Sequence, residues 1–393
     1  MNRSFKFACL SAAAVVATGF ALAAGDAVAG MLSGRSVKIG ALVPLTGKGA
    51  EWGQTAKKSM EIAQEEINAA GGIGGVKVKV IFYDTQSKEA EGIKLFKKLA
   101  TRDKVLVITG PCFSSIYEVL APQLDRYKIS MISYCSSKPG LSALSRWAFR
   151  NTLTSDKQLI PVVAAWVKEY KIKTAVIIHD IEDAVSKAEG TKILPVLLKK
   201  NGVKLLDMMT YRTKDTDFSA QITKVKGLKP DGIALGSCYQ QAAGIVKEAR
   251  KQGMATPFVG GACSGSPGFI QLGGSATEGS YMSTAAWIDD PRPKVQAYVK
   301  KITARNKGRK PPYGGPRAYD NIYILKMIME DGGVTNKSSD LDADRNKIRV
   351  GWKNLKGYNG VSGETTMNDV GDGSGATAIL KVMDGKYINV MKR

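Results

Sequence analysis

Histidine is almost absent: His179 is the only one in 393 residues. A histidine-based triad or a two-histidine metal site has one residue to draw on. His179 ends the apolar run 174–178, where a structural or surface role suffices. Also missing are the GxxxxGK[ST] phosphate loop, the HExxH helix, a GxSxG set between strand and helix, and paired Cys-x-x-Cys spacing. P-loop hydrolysis, zincin chemistry and α/β-hydrolase chemistry are therefore left without their residues. No run beyond residue 23 has the roughly 20 apolar residues that span a bilayer. Acidic residues are outnumbered, 35 against 57 Lys and Arg, for a net charge of +22. The basic residues are scattered as pairs on helix faces (Lys57-Lys58, Lys97-Lys98, Lys199-Lys200, Lys300-Lys301) with no aromatics between them. That pattern reads as a solvated basic surface and not as a nucleic-acid site; attraction to an anionic membrane or substrate is the alternative.

What is present begins with an export signal. Arg3 and Lys6 precede an apolar stretch from 7 to 23, followed by Ala21-Leu22-Ala23 and Ala27-Val28-Ala29. Residues 1–29 read as a cleaved secretory signal peptide, so a periplasmic location is expected. Cys9 lies near the start of that stretch, the wrong place for lipid attachment. The remaining chain, about 360 residues, is long enough for two domains with their own cores.

The chain is organised around GPCFSS at 110–115, which follows the apolar run Val105-Leu106-Val107-Ile108-Thr109. This reads as a buried parallel strand, a tight turn and a helix start, which places Ser114 and Ser115 where open α/β sheets bind ligands. The same serines could simply cap a helix. Strands at 37–42, 76–83, 105–109 and 129–133 alternate with helical patterns, and the last ends in Tyr134-Cys135-Ser136-Ser137. The glycine cluster 71–75 runs from helix to strand and lacks the last glycine of GxGxxG, so no dinucleotide cofactor is implied. After 149–152 the pattern restarts, with strands at 174–178, 203–211, 232–235 and 257–260. The last two end in Gly236-Ser237-Cys238-Tyr239 and Gly261-Ala262-Cys263-Ser264. Helices are expected at 295–304 and 319–330, then short strands at 377–382 and 387–391 around the turn Asp384-Gly385. The fold class is α/β: two doubly wound parallel-sheet lobes whose strand-end loops face one cleft.

VKIGALVPLTGKGAEWG, EEINAAGGIGG, YDTQ, GPCFSS, DTDFSAQITKVKGLKPDGI and AYDNIYIL resemble, in the right order, the branched-chain amino-acid binding proteins of ABC importers, the leucine-binding type of periplasmic receptor. The resemblance implies a type I periplasmic binding protein fold with a three-crossing hinge. Its lobes would be 35–151 plus 288–361, and 152–287 plus 362–393. It also implies that the chain is no enzyme and that a small-molecule ligand is handed to a membrane permease. Other readings are a sensor subunit of the same fold feeding a signalling partner, and a secreted hydrolase.

Carried over by position, the ligand carboxylate meets Ser114 and Ser137, in loops that also hold Ser115 and Ser136. The Cys135 carbonyl and the Ser137 hydroxyl take the α-ammonium, and Trp52, read as part of the first loop, lies against the ligand side chain. From the second lobe, Cys238, Tyr239, Ala262 and Cys263 line the cleft. The family's ammonium-binding acid aligns with Ala262 or Cys263, which cannot do that work, and its Tyr-Gly pair is replaced by Ala184-Val185. An α-ammonium buried without a carboxylate is costly. The expected ligand is therefore a carboxylate or amide more than a leucine-like amino acid, unless Asp183 or Glu182 substitutes. Neighbouring strands lie about 4.8 Å apart, within disulfide reach. Export then favours Cys112–Cys135 and Cys238–Cys263 over other pairings, with four buried thiols as the alternative.

Overall fold

The computed structural model describes residues 32–375 and 377–392; the expected signal peptide lies outside them. Five short strands build the first sheet: β1 (Val37–Val43), β2 (Val78–Asp84), β3 (Val107–Thr109), β4 (Met131–Ser133) and β5 (Ala148–Arg150). All are parallel, in the order β2-β1-β3-β4-β5. β1 buries every residue but Lys38, the mark of a strand covered on both faces. At the end of β3 the chain turns through Gly110 at φ +96°, where a Cβ would lie 2.2 Å from the Leu42 carbonyl oxygen. Only glycine fits that turn.

The second sheet starts with β6 (Thr174–Asp180), β7 (Lys204–Tyr211), β8 (Gly232–Gly236), β9 (Phe258–Gly260) and β10 (Tyr281–Thr284). The chain then returns to the first sheet. Helices Pro293–Arg305 and Gly314–Asp331 lie against helix Ala50–Ala69, and helix Leu341–Lys353 stacks Trp352 on Phe149 at 6.5 Å. After the hairpin β11 (Tyr358–Gly360) and β12 (Gly363–Thr365), strands β13 (Ala378–Met383) and β14 (Lys386–Asn389) complete the second sheet in the order β14-β13-β10-β9-β8-β6-β7. Its core strands are parallel, as read from the sequence. The β13–β14 edge is antiparallel, because the two-residue turn at Asp384 (φ 52°) and Gly385 (φ 69°) folds one strand directly onto the other.

The chain therefore passes between the sheets three times. Residues 366–373, expected with the second lobe, pack on the first. Met367 N–H donates to Leu355 O at 2.8 Å, Gly373 N–H to Arg150 O at 2.8 Å, and the buried Arg150 pairs with Asp372 at 2.5 Å. An unpaired arginine in that position would be costly, which holds the segment there.

Candidate functional site

The strand-end loops of both sheets meet. Cys112 and Cys135 follow the neighbouring strands β3 and β4, and Cys238 and Cys263 follow the neighbouring strands β8 and β9. Each pair is at disulfide distance, with Cα separations of 4.6 and 4.5 Å. The adjacency that the parallel pattern implied puts them together.

In the first lobe, Ser114 opens helix Ser114–Leu120, and its hydroxyl accepts from the Lys138 backbone N–H at 3.3 Å, stapling one serine loop to the other. Ser115 lines a groove of about 740 Å³ between the lobes, together with Lys138, Pro139, Glu182, Ala184 and Lys187. Ser137 holds the start of helix Ser155–Tyr170 through its carbonyl, and its hydroxyl has no partner among the described residues. Ser136 differs from the expectation. Its hydroxyl donates to the Pro111 and Cys112 carbonyls at 3.1 and 2.9 Å, so it braces the loop and does not face a ligand. The Cys135 carbonyl accepts from the Tyr313 hydroxyl at 3.1 Å. Tyr313, just before the helix Gly314–Asp331, was not singled out in the sequence; the only hint was an aromatic beside Gly-Gly.

Trp52 stands in the first turn of helix Ala50–Ala69, and not in a loop as expected. The helix starts early because Ala50 and Glu51 are good helix formers and the preceding glycines offer the chain no other regular structure. Trp52 is 2% exposed, its indole N–H has no partner among the described residues, and its ring meets Phe113 at 6.3 Å and Tyr239 of the other lobe at 5.4 Å, both edge-on.

Two polar contacts flank that aromatic bridge. The Ser266 hydroxyl donates to Glu51 at 2.8 Å, and burial between the lobes pushes the Glu51 carboxyl up. Burial, and secondarily Glu51, push the Tyr239 hydroxyl up to about 12. On the other side Lys48 lies over Phe113, 5.0 Å from the ring centre, and pairs with Asp183 at 3.5 Å. Lys48 and Glu51 were not singled out in the sequence.

In the second lobe, Asp183 caps helix Ala184–Ala188, accepting from Ser186 N–H at 3.0 Å and its hydroxyl at 2.8 Å. One oxygen is thus committed to the cap and the other to Lys48. Glu182, at the edge of the groove, is engaged by Arg212 and the Thr213 N–H, both at 3.2 Å. Neither acid is free to stand in for the one missing at Ala262, and Ala262 and Cys263 bring no charge. The Cys263 carbonyl instead accepts from Tyr239 N–H at 3.0 Å, which sets the tyrosine against Trp52. A further acid, Glu189, is buried beside this loop. It was not singled out in the sequence, where Lys187 and Lys192 flank it.

Residues 36–386 match the family described as periplasmic binding protein. The Leu/Ile/Val-binding protein homolog 3 of Brucella melitensis is 26% identical over 358 residues, covering 90% of this chain and 93% of the relative. Among solved structures, the branched-chain amino acid transporter substrate binding protein LivJ from Streptococcus pneumoniae, in complex with isoleucine, superposes with a TM-score of 0.80 at 23% identity. The match covers 90% of this chain and 97% of that one. A solute binding protein of an ABC transporter from R. palustris, in complex with benzoate, gives 0.80 at 18% identity, covering 90% and 95%.

Proposed function

Because the chain belongs to the periplasmic binding protein family, we propose that it is an exported solute receptor of an ABC importer, which closes two lobes on a small carboxylate or amino-acid-like ligand and presents it to a membrane permease. The observation that carries this reading is the Trp52–Tyr239 contact at 5.4 Å, flanked by Glu51–Ser266 and Lys48–Asp183. Three independent pairs join the strand-end loops and helix starts of one sheet to those of the other. Such loops are where open α/β sheets bind ligands, and closure over them is the hinge motion of two-lobed receptors. Ser114, Ser115 and Ser137 from the first lobe and Tyr239 from the second are the side chains we place around the ligand, with Trp52 as the apolar wall. Residues 1–29 are its export signal. The relatives named above bind branched-chain amino acids or benzoate according to their names, which brackets the ligand class.

The test is calorimetry and thermal shift across the proteinogenic amino acids, aromatic and aliphatic carboxylates and their amides. A ligand at 100 times its Kd raises stability by about 2.7 kcal/mol. Binding of one class with a smaller radius of gyration in solution scattering is the expected outcome. Turnover of an ester or amide would replace this reading with a hydrolase.

A further inference from the structure

The second lobe holds an acid that no contact among the described residues explains. Glu189 is 1% exposed, and its Oε2 has no hydrogen-bond partner among them. It begins the wide turn Glu189–Ile193 that continues helix Ala184–Ala188, and its carboxyl reaches across to the loop after β9. A Cβ placed on Gly261 would lie 2.4 Å from Glu189 Oε1. Gly261 adjoins Ala262, where the resemblance expects an acid and finds a methyl group. The carboxyl of Glu189 thus occupies, from a different element, the neighbourhood in which that charge is missing.

Among the described residues no lysine or arginine pairs with the Glu189 carboxyl. His179 packs its ring on Gly190, and Tyr211 approaches from the end of β7, with Asp180 beside the tyrosine. Asp183 approaches from its own helix, and Tyr313 from the first lobe. Lys48 is engaged by Asp183 at 3.5 Å. A buried carboxyl in such surroundings is costly when charged, so it either keeps its proton or meets a bound cation.

We propose that Glu189 is the acid that reads the ligand, receiving a cationic N–H group in the cleft and supplying from a helix the charge that the β9 loop lacks. This rests on the receptor reading above and deepens it: the ligand carries an ammonium or similar cation besides any carboxylate. With the cleft empty, burial first and Asp183 second hold the Glu189 carboxyl protonated well above the ordinary carboxylate range. A cationic ligand displaces that proton from the carboxyl to solvent as the ion pair forms. An amine-free carboxylate meets only a neutral acid and releases no proton.

The experiment is isothermal titration of the full chain with two matched pairs, L-leucine against 4-methylpentanoate and L-phenylalanine against 3-phenylpropanoate, in two buffers of different ionisation enthalpy. We expect the amine-bearing member of at least one pair to bind at least tenfold more tightly, with proton release. Glu189→Gln should erase both the preference and the release. Gly261→Ala, which sets a methyl group against the carboxyl without removing its charge, should weaken the same ligand. That variant, with the wild-type proton release, keeps the test decisive if Glu189→Gln folds poorly. Equal or tighter binding of the amine-free member, or a preference that survives Glu189→Gln, overturns the role of Glu189 and leaves the receptor standing. Failure of every probe, here and in the wider panel above, overturns both.

Discussion

The Arg317 guanidinium, fully buried, donates to the backbone carbonyl of Asn151 at 2.9 Å and through Nε to that of Ala285 at 3.1 Å. Asn151 and Ala285 lie on two of the three passages between the sheets. On the third, a Cβ at Gly375 would come within 2.7 Å of the same guanidinium. One side chain thus gathers all three crossings, and the Asn151 side chain adds bonds to Asn321 at 3.0 Å and Thr365 at 2.8 Å. Arg317→Ala would leave the Asn151 and Ala285 carbonyls unpartnered, at about 1 to 3 kcal/mol for each buried polar group. We expect a loss of at least about 2 kcal/mol in urea unfolding. A loss under about 0.5 kcal/mol, the range of ordinary surface substitutions, would contradict this account of the hinge.

The charged contacts across the cleft should set the closed population. Glu51→Ala removes a charge-assisted bond, a class worth about 1.5 to 3 kcal/mol. Ligand affinity should fall at least about tenfold, with a larger radius of gyration in saturating ligand only when closure itself is lost. Lys48→Ala should do less, because Lys48 is a third exposed and screened pairs are worth about 0 to 1 kcal/mol. Calorimetry on the two variants checks the ranking; the reverse order would place the latch on the Lys48 side.

Both cysteine pairs close loops of similar length, with sequence separations of 23 and 25. Replacing either pair by alanine should cost about 2 to 4 kcal/mol through the freedom regained by the unfolded chain. Peptide mapping without reductant should recover the fragments carrying 112 with 135 and 238 with 263. Four free thiols in the exported protein would remove the disulfides from this picture.

Glu189 also makes a stability prediction that needs no ligand. Its carboxyl is raised in the folded state relative to the ordinary 4.5, so the folded protein binds more protons than the unfolded one between those two values. Stability must then fall as pH rises through that window, by up to about 1.4 kcal/mol per pH unit, and level off above it. Glu189→Gln removes this slope. Melting curves of the two proteins should converge at low pH and separate in favour of the variant as pH rises. Parallel curves would mean that the carboxyl is charged and paired.

The parallel core of each sheet was legible because its signal is local: apolar runs of strand length ending in small polar residues, with helical spacing between. The cysteine pairing was legible for the same reason, since strands that follow one another in a wound sheet become neighbours. Ser136 and Ser137 are indistinguishable in sequence, and only the tight turn that aims one hydroxyl at the Pro111 carbonyl separates them. Strand β10 was missed because four residues carry too little periodicity. Glu189 was missed because its burial comes from the approach of Gly261, about seventy residues away, and nothing near it in the chain announces that approach.

The late helices impose an order of events on this chain. The backbone N–H of Ser33, just before β1, donates to Thr335 O at 2.8 Å, and Arg345 holds the Ala100, Val105 and Tyr127 carbonyls of the first lobe at 2.8 to 3.1 Å. The opening strands cannot be finished until a segment some three hundred residues later has arrived, by which time the middle of the chain has been able to close its own sheet. Contacts of such range are slow to form. A chain emerging from its N-terminal end should therefore complete the second lobe's parallel core first and remain open, with its first sheet uncovered on the 314–353 side, until residue 353 has emerged.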